Sequence, residues 1–197
     1  KVDFPPIPRI GQQLPVRPIA MAYGLSGLQF MMSNGTTGSF WRVIGNQATV
    51  RPANSVTPAT ITPPISMVAS PGGEYILTMA GNANAYLYDA IADAYTASRQ
   101  LYAQTPVSYF GPASAGPAGT YFLANGLILS PSLAIIGGTE RPGVTQVGTP
   151  TNPGQPPTQT IVSNGQRNVA SVFSVDENIF LRMTTPVRQN LTSTTRD

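Results

Sequence analysis

A short pattern recurs along this chain at an interval of 46 residues. Each copy contains a glycine turn, an apolar strand and a small polar turn, and the leading glycines are Gly27, Gly73 and Gly119. A fourth copy has Asn178 in the glycine position after a longer interval. Repeats of about 40 to 50 residues built from short strands are typical of β-propeller blades. The pattern therefore predicts an all-β fold, and specifically a β-propeller segment of about four blades.

The repeat divides the sequence into blades that are not all complete. The predicted units are a Pro-rich strand or linker from a preceding blade at residues 1–18, blades at 19–64 and 65–110, a partial blade at 111–138, an exposed Pro/Thr/Gly-rich insertion at 139–166, and an incomplete blade at 167–197. Closed propellers have about four to eight blades, each buried by its neighbours. We therefore expect the chain to belong to a larger propeller, completed by other parts of the same gene product.

The second unit gives the clearest strand pattern. Strands are expected at residues 66–69, 74–79 and 85–89, with a turn at 70–73 in which proline fixes φ and glycine supplies a positive φ. Residues 90–102 allow two interpretations. The repeat favours an outer strand or irregular structure, whereas residue propensity favours a helical turn.

Residues 66–77 read SMVASPGGEYIL, and this segment resembles the S-P-D-G turn of bacterial YVTN-type and WD-like propeller repeats. Tyr88 and Asp89 lie where such repeats often end a strand in an aromatic and acidic pair. Gly72 stands where those repeats usually have aspartate. Three further segments, at residues 4–8, 135–138 and 182–188, are similar to large uncharacterised exported propeller proteins of acidobacterial type. The resemblance implies an exported repeat protein.

Composition narrows the classes of function. Only 10% of the residues are charged, against about a quarter in average proteins, and uncharged polar residues replace them, as is common in exported proteins. The net charge is +3, but the arginines are scattered, so nucleic-acid binding is not expected. No run of 18 apolar residues occurs, and we expect no transmembrane segment. The expected location is extracellular, at the cell surface or in the periplasm.

The chain contains no histidine and no cysteine, which excludes Ser-His-Asp, Cys-His and His-metal chemistry within it. Two carboxylate pairs could carry glycosidase-like acid/base catalysis, namely Asp89 with Asp93 and Asp176 with Glu177. Hydrogen bonding in turns and at strand ends is the expected role of both pairs. We therefore assign no catalytic, cofactor-binding or metal-binding residue and expect no cofactor.

Aromatic residues in the repeated strands could stack against sugars or pack between blades, and packing is expected for most of them. They are Phe40, Trp41, Tyr75, Tyr86, Tyr88, Tyr121, Phe122 and Phe180. Trp41 and Tyr109 are kept as candidate surface contacts.

The expected function is that of a non-enzymatic exported scaffold or protein-interaction module. Its partners would be proteins or other blades of the same polypeptide, with a glycan as a further candidate ligand. A structural subunit of a surface layer, filament or envelope complex is the alternative. A carbohydrate-binding or carbohydrate-active protein is the least expected class.

Overall fold

The structure is a computed structural model, and it describes residues 17–63, 66–102, 112–124, 126–138, 144–147, 159–162 and 169–184. These residues form sixteen β-strands and no helix, so the predicted all-β class is confirmed for the part of the chain described. No helix within these ranges is long and apolar enough to cross a membrane.

Three consecutive segments each fold into a four-stranded antiparallel sheet whose strands follow chain order. Sheet 1 contains β1 (Arg17–Gly24), β2 (Gly27–Ser33), β3 (Gly38–Ile44) and β4 (Gln47–Val50). Sheet 2 contains β5 (Ser66–Ala69), β6 (Tyr75–Met79), β7 (Asn84–Asp89) and β8 (Ala94–Gln100). Sheet 3 contains β9 (Ala113–Ala115), β10 (Phe122–Ala124), β11 (Leu127–Leu129) and β12 (Ile135–Gly138).

Two antiparallel strand pairs follow the third sheet. The first joins β13 (Val144–Val147) to β14 (Gln159–Val162), and both strands lie within the predicted insertion. The second joins β15 (Val169–Asp176) to β16 (Ile179–Thr184) and is called the terminal hairpin below. The terminal hairpin occupies the position of the fourth repeat.

Residues 90–102 contain β8, so the helical alternative is wrong for this segment. The strand pairs with β7, and Tyr95 lies opposite Tyr88 next to a bulge. Tyr95 is buried, and its ring contacts those of Phe40 and Tyr88. Tertiary packing of this aromatic side chain outweighs the helix propensity of the alanines around it.

The 46-residue interval is visible in the backbone geometry. Gly27, Gly73 and Gly119 have φ values of 104°, 76° and 70°, which lie in the left-handed region that favours glycine. The hydrogen bonds of the second and third turns also repeat. Gly73 N–H donates to the Ser70 carbonyl over 2.9 Å, and Gly119 N–H donates to the Gly116 carbonyl over 3.0 Å.

The sheets stack in chain order. Alternate residues of each strand point to opposite faces, so one sheet can pack on a neighbour at each face. We call the face of a sheet towards the preceding sheet its front face, and the opposite face its back face. Apolar side chains on the front of sheet 2, including Ile76 and Tyr86, pack on Met31 and Phe40 at the back of sheet 1. Leu77 and its neighbours on the back of sheet 2 pack on sheet 3.

The same pattern continues into the terminal hairpin. Leu123 and Ile128 lie on the back of sheet 3, where they contact Val169 and Val172 of the hairpin. The first strands make the main contacts between neighbouring units: β1 lies next to β5, β5 next to β9, and β9 next to β15. Burial of these apolar faces between neighbouring units stabilises the stacked sheets.

Most of the aromatic residues are placed as expected. Phe40, Tyr86, Tyr88 and Phe122 are buried between sheets. Phe180 is 45% exposed, so the expectation that it packs in the core is wrong. It pairs with Ser174 in a two-stranded unit, which offers an aromatic side chain less cover than a four-stranded sheet does.

The two aromatic residues proposed as surface contacts have different outcomes. Trp41 is half-buried beside Phe30, and its indole N–H donates to Ser39 Oγ over 2.9 Å. Tyr109 lies outside the described residues.

Candidate functional site

Three of the four acidic residues considered for catalysis, Asp89, Asp93 and Asp176, make hydrogen bonds through their side chains. Asp89 Oδ1 accepts hydrogen bonds from the backbone N–H groups of Ile91 and Ala92, at 2.8 and 3.2 Å. Asp176 Oδ1 accepts a bond of 2.8 Å from the Glu177 N–H, and both residues are exposed. Asp89 and Asp176 therefore stabilise turns, as expected from the sequence.

Asp93 lies in a cluster of polar side chains between the first two sheets. We call it the polar cluster, and its members are Ser26, Gln29, Arg42, Arg51, Tyr88 and Asp93. The turn between β7 and β8 places Asp93 with a φ of 49°, a conformation that aspartate tolerates better than most residues. The local fold thus directs its carboxylate towards sheet 1.

Two arginines of sheet 1 bind the Asp93 carboxylate. Arg51 Nη2 lies 2.6 Å from Oδ1, and Arg42 Nη1 lies 2.6 Å from Oδ2. Arg51 Nη1 also donates to the Asp93 backbone carbonyl over 3.0 Å. Arg51 follows the end of β4, and its side chain is only 10% exposed. Charge-assisted bonds of this kind are stronger than neutral ones.

The Tyr88 hydroxyl lies at the centre of the polar cluster. It donates to Asp93 Oδ1 over 2.6 Å and accepts from Arg51 Nη2 over 3.1 Å. It also hydrogen-bonds to Ser26, and the Arg51 guanidinium lies 4.7 Å from the centre of the Tyr88 ring. Gln29 is buried and accepts a bond of 2.8 Å from Arg51 Nε. The buried polar atoms of Tyr88, Gln29 and Arg51 therefore have partners across the two sheets.

The electrostatics keep Asp93 charged and Tyr88 neutral. Burial raises the pKa of the Asp93 carboxyl, but hydrogen bonds from Tyr88 and Arg51 and the charges of the two arginines outweigh it, so the pKa lies below its usual value. Burial, followed by the hydrogen bond to Asp93, raises the pKa of the Tyr88 hydroxyl. This combination suits a permanent ion pair better than a group that exchanges protons during catalysis.

The other junctions between units have different polar links. Arg99 Nη1 donates to the Leu133 carbonyl over 3.1 Å at the junction of sheets 2 and 3. The Tyr121 hydroxyl lies 2.8 Å from Ser174 Oγ and donates to the Asp176 carbonyl over 3.0 Å at the terminal hairpin. Among the residues that the structure describes, the polar cluster is thus found at the first junction only.

A row of turns lies at the same end of the sheets as the polar cluster. We call it the turn row, and it consists of residues 24–27, 70–73 and 116–119. The Leu25 N–H donates to the Gly73 carbonyl over 2.8 Å, which ties the first turn to the second. A Cβ atom at Gly119 would lie 3.4 Å from Ser70 Cβ, so the second and third turns are also in close contact.

The second turn of the turn row requires glycine at position 73 for two reasons. Gly73 has a positive φ, and a Cβ atom there would lie 3.0 Å from the Leu25 backbone nitrogen. Pro71 and Ala118 are exposed at the tips of the second and third turns. Loops held by a rigid framework in this way often carry binding function.

Sequence reasoning identified Asp93 as a candidate but not its partners. Arg51 and Asp93 are 42 residues apart and lie in different repeats, and no local motif joins them. The only available signals were a glutamine in an apolar strand and an arginine at the end of a strand. Among the described residues, no group of three or more acidic side chains could hold a metal ion.

No protein-family model matches this sequence, and no curated protein matches it either.

Proposed function

We propose that this chain is a non-enzymatic segment of an exported β-propeller and that it acts as a scaffold whose turn row binds proteins. The observation that carries the proposal is the adjacency of the first strands. Three four-stranded sheets of the same antiparallel order and the terminal hairpin meet along β1, β5, β9 and β15. The blades of a propeller meet in the same way around its central channel.

The turn row supports a role in binding. The first turn contacts the second and the second contacts the third, so the tips keep fixed relative positions. A surface of this kind costs little conformational entropy when it binds, because its backbone is ordered beforehand. The polar cluster also helps to fix the turns, because it joins the turn that contains Ser26 to the β7–β8 turn at the same end of the sheets.

The hydrogen bonds that the Asp93 carboxylate accepts support a structural role for this residue over a catalytic one. Its two carboxylate oxygens accept hydrogen bonds from arginines of the neighbouring sheet, and Oδ1 also accepts one from the Tyr88 hydroxyl.

The low content of charged residues and the resemblance to bacterial propeller repeats support an exported location.

Photo-crosslinking tests the binding role. A photoreactive amino acid would replace Pro71 or Ala118 in the turn row, and Thr36 as the control. Thr36 is an exposed residue of the β2–β3 turn, at the opposite end of the sheets. In the exported fraction of the native cell, both turn-row positions are expected to label the same protein and Thr36 to leave it unlabelled. Equal labelling at all three positions, or none, would contradict the proposal.

A further inference from the structure

We propose that Asn34 is a site of spontaneous deamidation, at which the backbone nitrogen of Gly35 displaces the side-chain amide as ammonia. Both residues lie in the β2–β3 turn, at the end of the sheets opposite the turn row. The inference concerns a chemical modification of the chain, and it does not depend on the proposed scaffold role.

The side-chain carbonyl of Asn34 accepts hydrogen bonds from its own turn. The backbone N–H groups of Thr36 and Thr37 donate to Oδ1 over 2.9 and 2.8 Å, and the Thr37 hydroxyl donates over 3.3 Å. When a nucleophile attacks Asn34 Cγ, negative charge develops on Oδ1. Donors aimed at such an oxygen stabilise this charge, as they do in an oxyanion hole. The turn therefore favours attack at Cγ.

Gly35 supplies the attacking nitrogen. This nitrogen is joined to Asn34 through the chain, so ring closure onto Cγ is intramolecular. Glycine has no Cβ atom that would crowd the approach, and its φ of 95° is one that glycine adopts readily. The Gly35 N–H donates to Ser33 Oγ over 3.0 Å, and a base must remove this proton before the attack. Gly35 is exposed, which gives water and hydroxide access to the turn.

The reaction needs only water and releases ammonia. A bond forms between the Gly35 nitrogen and Asn34 Cγ, the bond from Cγ to Nδ2 breaks, and the proton lost by the Gly35 nitrogen is regained in the departing ammonia. Water then opens the resulting cyclic imide at either of its carbonyl groups. The product is aspartate or isoaspartate at position 34, which is ionised at neutral pH and adds a negative charge to the turn.

A second turn has the same hydrogen bonds but no glycine after its asparagine. Asn54 Oδ1 accepts bonds of 2.7 and 2.8 Å from the N–H groups of Val56 and Thr57, and one of 3.1 Å from the Thr57 hydroxyl. In both turns the asparagine N–H also donates to the carbonyl of the threonine three residues later. Ser55 follows Asn54, and both are exposed. Asn54 is therefore an internal control for the effect of glycine.

Peptide mapping by mass spectrometry, after incubation of the purified chain in weakly alkaline buffer, tests the proposal. Fragment spectra separate Asn34 and Asn54 from Asn125 and Asn164, which also precede glycine and lie outside the described residues. Asn34 is expected to deamidate at least about tenfold faster than Asn54, which corresponds to about 1.4 kcal/mol in the activation barrier. The rate is expected to increase with pH, because the attacking nitrogen must lose its proton.

Changing the residue after each asparagine provides the decisive result. Ser55→Gly is expected to accelerate deamidation at Asn54 and to leave the rate at Asn34 unchanged. Gly35→Ser is expected to slow deamidation at Asn34. Serine is strained at a positive φ, so circular dichroism checks the fold of Gly35→Ser, and Ser55→Gly decides the question if that variant does not fold. An Asn34 that reacts no faster than Asn54, a rate that does not rise with pH, or an unchanged Asn54 rate in Ser55→Gly would overturn the proposal.

Discussion

Asp93 is the residue on which most of the polar cluster depends. Its carboxylate accepts hydrogen bonds from Arg42, Arg51 and Tyr88, which come from both sides of the first junction. Removing its charge would leave the two guanidinium groups without their anion. At the scale of single residues, this carboxylate links sheet 1 to sheet 2.

Asp93→Asn is expected to lower the free energy of unfolding by about 1–2 kcal/mol. Bonds to charged groups contribute up to about 3 kcal/mol, but the Asp93 side chain is 48% exposed and solvent screens part of the interaction. Urea denaturation measures the change. Asp89→Asn is the matched control, since it keeps the Oδ1 acceptor of its turn, and a change below about 0.5 kcal/mol is expected. Equal losses in the two variants would contradict the assigned role.

The Asp93 contribution is expected to disappear in acid. Its pKa is lower in the folded state than in the unfolded chain, where it is about 3.9. As the pH falls, the unfolded state therefore binds a proton first, and stability decreases. The contribution is complete above about pH 5 and lost as the pH falls through the folded pKa. Urea denaturation of the unchanged chain and Asp93→Asn should show a difference at pH 7 that shrinks towards pH 3. A constant difference would exclude this origin.

The polar cluster shows which part of the site the sequence could not predict. Asp93 was recognisable as an acidic residue at a turn, but the expected role was local hydrogen bonding, and its carboxylate instead pairs with Arg42 and Arg51 of the neighbouring sheet. Its pairing with Arg51 depends on how two repeats pack, and the 46-residue pattern carries no information about which side chains meet at a junction.

At the scale of the elements, the turns hold neighbouring sheets in register. Gly73→Ala is expected to cost about 1–3 kcal/mol, because alanine disfavours a positive φ and its Cβ would meet the Leu25 backbone. Gly72→Ala is the control. There the added Cβ would meet only the mobile end of Glu74, and Gly72 is exposed. Thermal unfolding of both variants measures the difference, and a Gly72→Ala loss as large as that of Gly73→Ala would contradict the account.

The contact between the second and third turns can be tested by a crosslink, since the chain has no cysteine of its own. The Cβ positions of residues 70 and 119 lie 3.4 Å apart, close to the lower end of the roughly 3.5–4.5 Å found in disulfides. Ser70→Cys with Gly119→Cys is expected to form an intramolecular disulfide on mild oxidation, seen as faster migration on a non-reducing gel. Ser70→Cys with Thr36→Cys should remain reduced. A disulfide in the control pair, or none in the first, would contradict the stacking of sheets 2 and 3.

The strands were largely predictable because turn glycines and alternating apolar residues define them locally. The predicted strand at residues 66–69 coincides with β5, and the predicted strand at 85–89 differs from β7 by one residue. Residues 90–102 were ambiguous because their alanines fit both a helix and a strand. Phe180 was misassigned because its exposure depends on how many strands the terminal hairpin contains.

At the scale of the whole molecule, the three four-stranded sheets and the terminal hairpin stack in chain order through apolar faces. The buried faces between units are explained by the alternation within each strand. The sequence period predicted the units, but it did not predict that Phe173 on the back face of the terminal hairpin is 64% exposed, because a local pattern does not specify how units pack.

We propose that the sheets spread like blades from a common axis. Nitroxide labels at Pro18→Cys and Ala113→Cys report the distance between β1 and β9, and labels at Gln47→Cys and Ile135→Cys report the distance between β4 and β12. Double electron–electron resonance is expected to give a longer distance for the outer pair than for the inner pair, because the blades of a propeller diverge from its channel. Equal distances, or a shorter outer distance, would show a flat stack of sheets and contradict the account.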